Sequence, residues 1–287
     1  MKKAYSYILR NKAGLNRNAK FLFLLPGLLG ITIFIFVPFG DVVIRSFHTS
    51  LTGEFVGLNN YKNLFQNTAF RLAVHNTIRF IMVCLPLLLL ISLLLAVMIN
   101  GAPKWEKYKD MYLLPMAIPA ATIVLVWKML FEKQGFLNKT METHIDFMGT
   151  EYAFWILVGS YLWKNIGYTL VLWLAGLKNI SREILEAAKV DGATGVQSFF
   201  CVTLPNLKGS MYTIVVISLL NSFKSFREVF LVSGAYPQED IYLLQHIFNN
   251  WFTNLDFDKM SVGSVLSALF IGSLCMLLQK LWNVEVE

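Results

Sequence analysis

Charge is scarce in this sequence: Asp, Glu, Lys and Arg make up 15% of its 287 residues, against about 25% in an ordinary soluble domain. Cysteine is scarcer. Cys84, Cys201 and Cys275 are odd in number and show no C-x-x-C spacing, so no disulfide framework or redox pair is indicated and they read as apolar packing residues. The four histidines, His48, His75, His144 and His246, stand singly, with no H-E-x-x-H and no carboxylate at ligand spacing, which leaves metal chemistry without support. A phosphate-cradling G-x-x-x-x-G-K-S/T loop is also missing, as is any clustered nucleophile or paired acid. The chain is therefore expected not to be an enzyme.

What is abundant is apolar. Hydrophobic residues make up 56% and aromatics 14%, and the mean hydropathy is +0.55. A bilayer core takes about 20 consecutive apolar residues per helix, and six stretches of that kind predict spans at 21–43, 77–99, 108–131, 153–177, 211–232 and 261–282. The first is longer than the about 7 to 15 apolar residues of a signal peptide, and no small-residue cleavage site follows it. It is kept as a span.

Lys2, Lys3, Arg10, Lys12, Arg17, Lys20, Lys104, Lys107, Lys109, Lys178, Arg182, Lys189 and Lys208 fall on one side of such a bundle; Arg45, Lys62, Arg71, Lys133, Lys139 and Lys259 fall on the other. Short loops rich in Lys and Arg stay in the cytoplasm, so both termini are expected there and the net charge of +7 is largely topological. This excess flanks spans and does not cover a soluble face, which argues against nucleic acid as a partner. Residues 1–20 read as a basic cytoplasmic tail, either solvated or lying on the anionic inner leaflet. Residues 21–283 form the transmembrane domain and 284–287 a cytoplasmic end.

The cytoplasmic loop at 178–209 is too long and too patterned for a connector. Ser181 is placed to cap a helix running to about Val190, Glu183 sits in its first turn where the helix dipole favours an acid, and Asp191-Gly192 ends it. Ala187 and Ala188 would let another surface approach the backbone, and Glu186 is placed to meet a partner's arginine. A second helix, from about Ala193 to Thr203, is expected to stop at Pro205. By residue chemistry alone the loop is either a rigid knuckle or an amphipathic segment on the inner leaflet.

Polar groups inside a span tend to face a cavity or a helix partner. Tyr161, Asn165 and Tyr168 recur at i, i+4 and i+7 in the fourth span beside Lys164, and Ser218, Ser222 and Ser225 form a stripe in the fifth beside Asn221. These stripes either hold a polyhydroxylated solute or bond to each other, interhelical bonds being worth about 0.6 to 2 kcal/mol in membranes. Lys224, Arg227 and Glu228 fall in the outer half of the fifth span, with Lys224 and Glu228 as an i, i+4 pair. They form either an outer gate or a self-neutralised interfacial cluster. Arg79 and Lys128 are expected to snorkel.

Glu186-Ala187-Ala188-x-x-Asp191-Gly192-Ala193, with Phe199, Phe200 and Thr203-Leu-Pro205, resembles the EAA motif of binding-protein-dependent ABC importer permeases, in particular the carbohydrate-uptake group of maltose type. The likeness extends along the chain. Phe55-Val-Gly-Leu-Asn-Asn-Tyr61 and Asn76-Thr77 resemble the first outer loop of that family, and Leu114-Pro115, Pro119, Trp127, Phe131, Gly135 and Asn138 its third span and the turn after it. Ala175-Gly-Leu177 and Phe223-Lys-Ser-Phe226 fit as well. Ser181 departs from the family, which usually has Pro there, and Ser233-Gly-Ala-Tyr-Pro237 replaces a Gly-rich turn.

The resemblance implies an all-α polytopic membrane protein with six transmembrane helices in the bacterial cytoplasmic (inner) membrane. Its EAA segment, Glu186 to Ala193 with Pro205, would seat in a cleft of an ATPase. The implied partners are a second, paralogous permease, two ATPase subunits that hold the ATP and Mg, and an extracytoplasmic solute-binding protein. A carbohydrate, of oligosaccharide size, would pass along Tyr161, Lys164, Asn165, Tyr168, Asn221, Ser222 and Ser225. No cofactor is implied for this chain. The rival readings are an importer of the same kind for a polyol or glycerol-phosphate-like solute, and an ion-driven transporter. The latter needs an intramembrane carboxylate or broken helices, of which the sequence displays only Glu228.

Overall fold

A computed structural model describes residues 24–102 and 109–282, together with Leu22 and Lys104; the expected tail at 1–20 and end at 284–287 lie outside the described residues. The described backbone is helical apart from turns and one isolated antiparallel bridge between His48 and Phe55. The helices are α1 (Leu24–Arg45), α2 (Asn59–Gln66), α3 (Thr68–Asn100), α4 (Leu114–Ala117), α5 (Ala120–Phe131), α6 (Phe136–Met141) and α7 (Tyr152–Asn179). They continue with α8 (Arg182–Val190), α9 (Gly195–Ser198), α10 (Lys208–Ser222), α11 (Phe226–Ser233), α12 (Leu244–Thr253) and α13 (Phe257–Trp282).

Among the described residues α1, α3 and α13 are long and apolar enough to cross a membrane, and Met111–Ala117 with Ala120–Met141 makes a fourth if that bent pair is one span. Two expected spans are not continuous helices. The third bends by 96° because Pro119 lacks an N–H and pushes Ile118 into an extended conformation, ψ 127°. The fifth is divided by a 3-10 turn at Phe223–Ser225 between α10 and α11. The fourth, α7, runs 28 residues unbroken but carries its polar side chains at the middle.

The chain divides into two compact units, one of residues up to Leu64 with Asp256–Ser267, the other of Phe65–Leu255 with the remainder. In the first unit α1 buries none of its side chains in Thr32–Arg45 and exposes Leu28, Phe34 and Phe36, the all-round apolarity of a helix surrounded by lipid or protein. The Phe55–Tyr61 segment acts as a pin. Asn60 Nδ2 donates to the carbonyls of Ser46 and His48, at 3.2 and 2.9 Å, and the hydroxyls of Tyr61 and Ser46 meet at 2.8 Å. Gly57, at φ +56°, turns the chain into α2 as a β-carbon would resist.

In the second unit α3 and α7 form the spine. α3 buries Phe70, Ala73, Thr77, Phe80, Cys84, Leu88, Ser92, Ala96 and Ile99, three or four residues apart, which is one face of a helix. Two apolar clusters result. Phe80, Cys84 and Leu88 pack with Phe154, Leu157 and Val158 of α7, Ile123 and Trp127 of α5, and Val229 of α11. Further along, Ala96 and Ile99 pack with Leu170, Trp173, Leu174 and Leu177 and with Leu207 and Ile214. Cys84 is a core residue as its apolar surroundings suggested, but Cys201 is exposed and Cys275 half-buried.

Motif residues of unassigned role turn out to be backbone clamps. Asn76 Nδ2 donates to the carbonyls of Glu239 and Tyr242, at 2.6 and 3.1 Å, and Thr77 Oγ1 accepts from Leu244 N–H at 2.9 Å. Arg79 does not snorkel: it pairs with Asp240 at 3.0 Å and lies over the Phe154 ring at 4.1 Å. Hydrogen bonds from Gln238, and then Arg79, hold the Asp240 carboxyl below the usual range. Asn138 donates to Glu132 and Ile145 carbonyls and accepts from Thr143 Oγ1 and Ile145 N–H, which closes the turn after α5.

Close approach of backbones sets the position of α7. A β-carbon on Gly167 would lie 1.8 Å from the carbonyl oxygen of Tyr112, whereas one on Gly159 would meet nothing within 4 Å. Small residues let membrane helices approach in this way. Gly167→Ala should therefore lower the yield of monodisperse protein and its melting temperature, through a clash costing about 1–3 kcal/mol, while Gly159→Ala on the same helix should change stability by no more than about 0.5 kcal/mol. Fluorescence-detected size exclusion with a heating step distinguishes the two, and equal behaviour would contradict the packing described.

Candidate functional site

Two constellations emerge, one in the 178–209 loop and one in the middle of α7. In the loop, Ser181 is the N-cap of α8, but its hydroxyl makes no capping bond. The expected cap is thus only a backbone one, and Glu183 is the first-turn acid. The far end closes as a Schellman turn: Gly192, at φ +79°, donates to Lys189 O at 3.1 Å, and Ala193 N–H reaches Ala188 O at 3.0 Å. α9 then begins with a capping box, Gln197 N–H donating to Thr194 Oγ1 and Thr194 N–H to Gln197 Oε1.

The second helix does not stop at Pro205. It passes through a π-helical stretch, Phe199–Thr203, and one more turn, Leu204–Asn206, and breaks at Leu207. Proline lacks only a donor, which a first-turn position does not need, and the π stretch makes the offset, with Leu204 N–H bonding back to Phe199 O. The two alanines also differ. Ala188 is buried against the chain, while Glu186, Ala187, Asp191 and Gly192 face outward, and Ile184, Val190 and Val196 add exposed apolar surface.

In α7 the polar residues are held by α10. Tyr161 donates its hydroxyl to Ser218 O at 2.7 Å and the Tyr168 hydroxyl meets Ser218 Oγ at 2.6 Å. Asn165 donates to Tyr161 O at 2.7 Å, and its Oδ1 receives Asn221 Nδ2 at a long 3.4 Å. Ser222 bonds its own helix, donating to Leu219 O at 2.6 Å, and Ser225 is buried in the 3-10 turn. Ser218, Tyr161, Asn165, Tyr168 and Asn221 thus form one belt, between the two apolar clusters of the spine.

The charged cluster is wired differently from the expected i, i+4 pair. Glu228 is ion-paired with Lys164 of α7, not with Lys224, and Lys224 Nζ donates to Asn221 Oδ1 at 2.8 Å. The 3-10 turn at Phe223–Ser225 explains this: three residues per turn in place of 3.6 rotates Lys224 off the Glu228 face. Glu228 is buried, Lys164 half-buried, and Lys224 and Arg227 are exposed. A separate cavity of about 810 Å³ opens at the far end of α5, lined by Trp127, Phe131, Lys133, Asp146, Tyr236 and Gln238. The polar stripes do not line it. Trp127, Phe131, Lys133 and the Ser233–Pro237 turn were singled out in the sequence, but nothing there joined them into a cavity.

Both constellations lie within the part of the chain that matches a known family. The family model described as "Binding-protein-dependent transport system inner membrane component" matches residues 110–283. The arabinooligosaccharides transport system permease protein AraP of Bacillus subtilis (strain 168) is 32% identical, over 88% of this chain and 84% of its own length. The sn-glycerol-3-phosphate transport system permease protein UgpA of Yersinia pestis bv. Antiqua (strain Antiqua) is 28% identical, over 90% of this chain and 91% of its own. A solved chain of a bacterial ABC transporter involved in the import of the acidic polysaccharide alginate superposes with a TM-score of 0.80 over 97% of this chain and 100% of its own; at 21% identity this shows a shared fold.

The Lys164–Glu228 pair generates a test of its own. Lys164→Met leaves the Glu228 carboxylate, with only 5% of its side chain exposed, without a cation and should cost about 3 kcal/mol. Adding Glu228→Gln to that variant should recover most of the loss, because the uncompensated charge is gone. Thermal unfolding of both in detergent checks this, and additive losses would contradict the pairing.

Proposed function

Because this chain belongs to the family of binding-protein-dependent transport system inner membrane components, we propose that it is the permease subunit of an ATP-driven importer that carries a carbohydrate into the cytoplasm. Its partners are a second, similar permease, two ATPase subunits that bind the ATP and Mg, and an extracytoplasmic solute-binding protein. The reading has it cross the inner membrane six times, with both termini in the cytoplasm; the third and fifth crossings are the broken ones.

An oligosaccharide is favoured by the relative named for arabinooligosaccharides, the more identical of the two relatives compared, and by a belt of tyrosine, asparagine and serine side chains suited to hydroxyls. In the closed network that belt holds α7 to α10, and opening it would expose Tyr161, Asn165, Tyr168, Asn221, Ser222 and Ser225 to the solute. Lys224 and Arg227 stand at its outer edge. The ion-driven alternative gains a buried carboxylate and two broken spans, but it gives the knuckle no task.

The observation that carries the reading is that knuckle. A rigid Schellman turn fixes α8 with Glu186 and Ala187 outward, while Leu185 packs on the cluster of Leu177, Ile180 and Leu207 at the base of α7 and α10. Force applied to α8 by an ATPase thus reaches both helices of the belt. Glu186→Lys reverses the outward charge, and Gly192→Pro is incompatible with φ +79°. Each should abolish ATPase co-purification and sugar uptake while leaving the amount of protein in the membrane within about twofold. Normal uptake with intact co-purification in both variants would reject the coupling role.

A further inference from the structure

Positive charge exceeds negative charge in the outer half of the fifth span. Lys164 of α7, Lys224 and Arg227 stand against a single carboxylate in number, Glu228, and Lys164 already uses it. Lys224 has only the neutral Asn221 Oδ1, and Arg227 makes no ion pair or hydrogen bond among the described residues. Both are exposed. Counted from Met211, where the apolar part of the span begins, they lie about 20 and 24 Å along the helix at about 1.5 Å per residue, inside a hydrocarbon core about 30 Å thick. Charged side chains at that depth avoid lipid by facing a wet cavity or a counter-ion or by snorkelling to the interface, and the bond that holds Lys224 Nζ on Asn221 turns it to the belt.

Resting on the importer reading, we propose that Lys224 and Arg227 form an anion subsite in the pathway and that the transported carbohydrate carries carboxylate or phosphate groups. Three features select the solute as the counter-ion. Asn221 ties Lys224 Nζ to Asn165 of the belt, so the ammonium stands at the edge of the groups that would read hydroxyls. The Arg227 guanidinium offers a planar fork that fits a carboxylate or phosphate through two hydrogen bonds. Glu228 neutralises Lys164 and no other cation, so the remaining two charges stay available. A moving anion satisfies them while the site is loaded and releases them when it leaves, which a fixed carboxylate of the same chain would prevent.

The test uses the complete complex in nanodiscs, without the solute-binding protein, so that the selectivity of that protein does not enter. Binding of a galacturonic acid trisaccharide, its neutral galactose counterpart and glucose 6-phosphate is measured calorimetrically at low and high salt. The wild-type complex should bind at least one anionic probe about tenfold or more tightly than the neutral one, with an affinity that falls as salt rises. Tighter uronate binding identifies a carboxylate carrier, tighter sugar-phosphate binding a phosphate carrier. Lys224→Gln with Arg227→Gln should remove the preference and its salt dependence. Equal binding of neutral and anionic probes, unaffected by these changes, overturns the proposal but leaves the importer reading intact. Loss of the second permease from the purified double variant also overturns it, since the two cations then serve that subunit's acids. If none of the probes binds wild type, this proposal falls, whereas the importer reading falls only if the coupling test above fails.

Discussion

Hydrocarbon offers no hydrogen-bond partner, so every polar group placed within a membrane span must be satisfied by the protein or by water held in a cavity. The middle of α7 concentrates that demand. Tyr161, Asn165 and Tyr168 meet it through Ser218 and Asn221 of α10, and Lys164 meets it through Glu228 of α11. An unsatisfied buried polar group costs about 1–3 kcal/mol, against about 1 kcal/mol gained by each bond made, so a one-residue slip of α7 against α10 would lose several contacts at once. Apolar packing above and below the belt adds contact area but little direction, because lipid competes for the same surface.

The interruptions follow from the same demand. A 3-10 turn at Phe223–Ser225 and the extended Ile118-Pro119 step release backbone groups that an unbroken helix would use internally, and protein or water must then take them up. The first rotates Lys224 away from Glu228, while Arg227, beside Glu228 in α11, is exposed, leaving two cations beside a closed belt. The second turns α5 toward the cavity lined by Trp127 and Phe131. Rigid ends and weak middles suit a machine driven from one end: α8 is locked by Gly192, and Leu185 rests on the cluster that anchors α7 and α10.

Local chemistry was legible in the sequence wherever one residue suffices to dictate it. Asp191-Gly192 marked the end of α8 because a left-handed turn calls for glycine, and the apolar stretches marked the helices within a few residues, although α3 starts at Thr68, well before the expected 77. Pro205 was misread because proline breaks a helix interior but not a first turn, and nothing local announces the π stretch before it. The Lys224–Glu228 pair failed because it assumed an unbroken helix. Lys164–Glu228 joins residues 64 positions apart, and Asn60, Asn76 and Asn138 bond to backbone carbonyls whose position only the fold determines.

The central claim is that transport energy enters through the knuckle from ATP bound elsewhere. The most direct test is uptake of a labelled oligosaccharide into proteoliposomes that hold this chain, its permease partner, the ATPases and the binding protein, with ion gradients collapsed by ionophores. The account predicts uptake that continues without any gradient and ceases when ATP is withheld. Uptake that follows an imposed proton or sodium gradient, and proceeds without ATP, would contradict it.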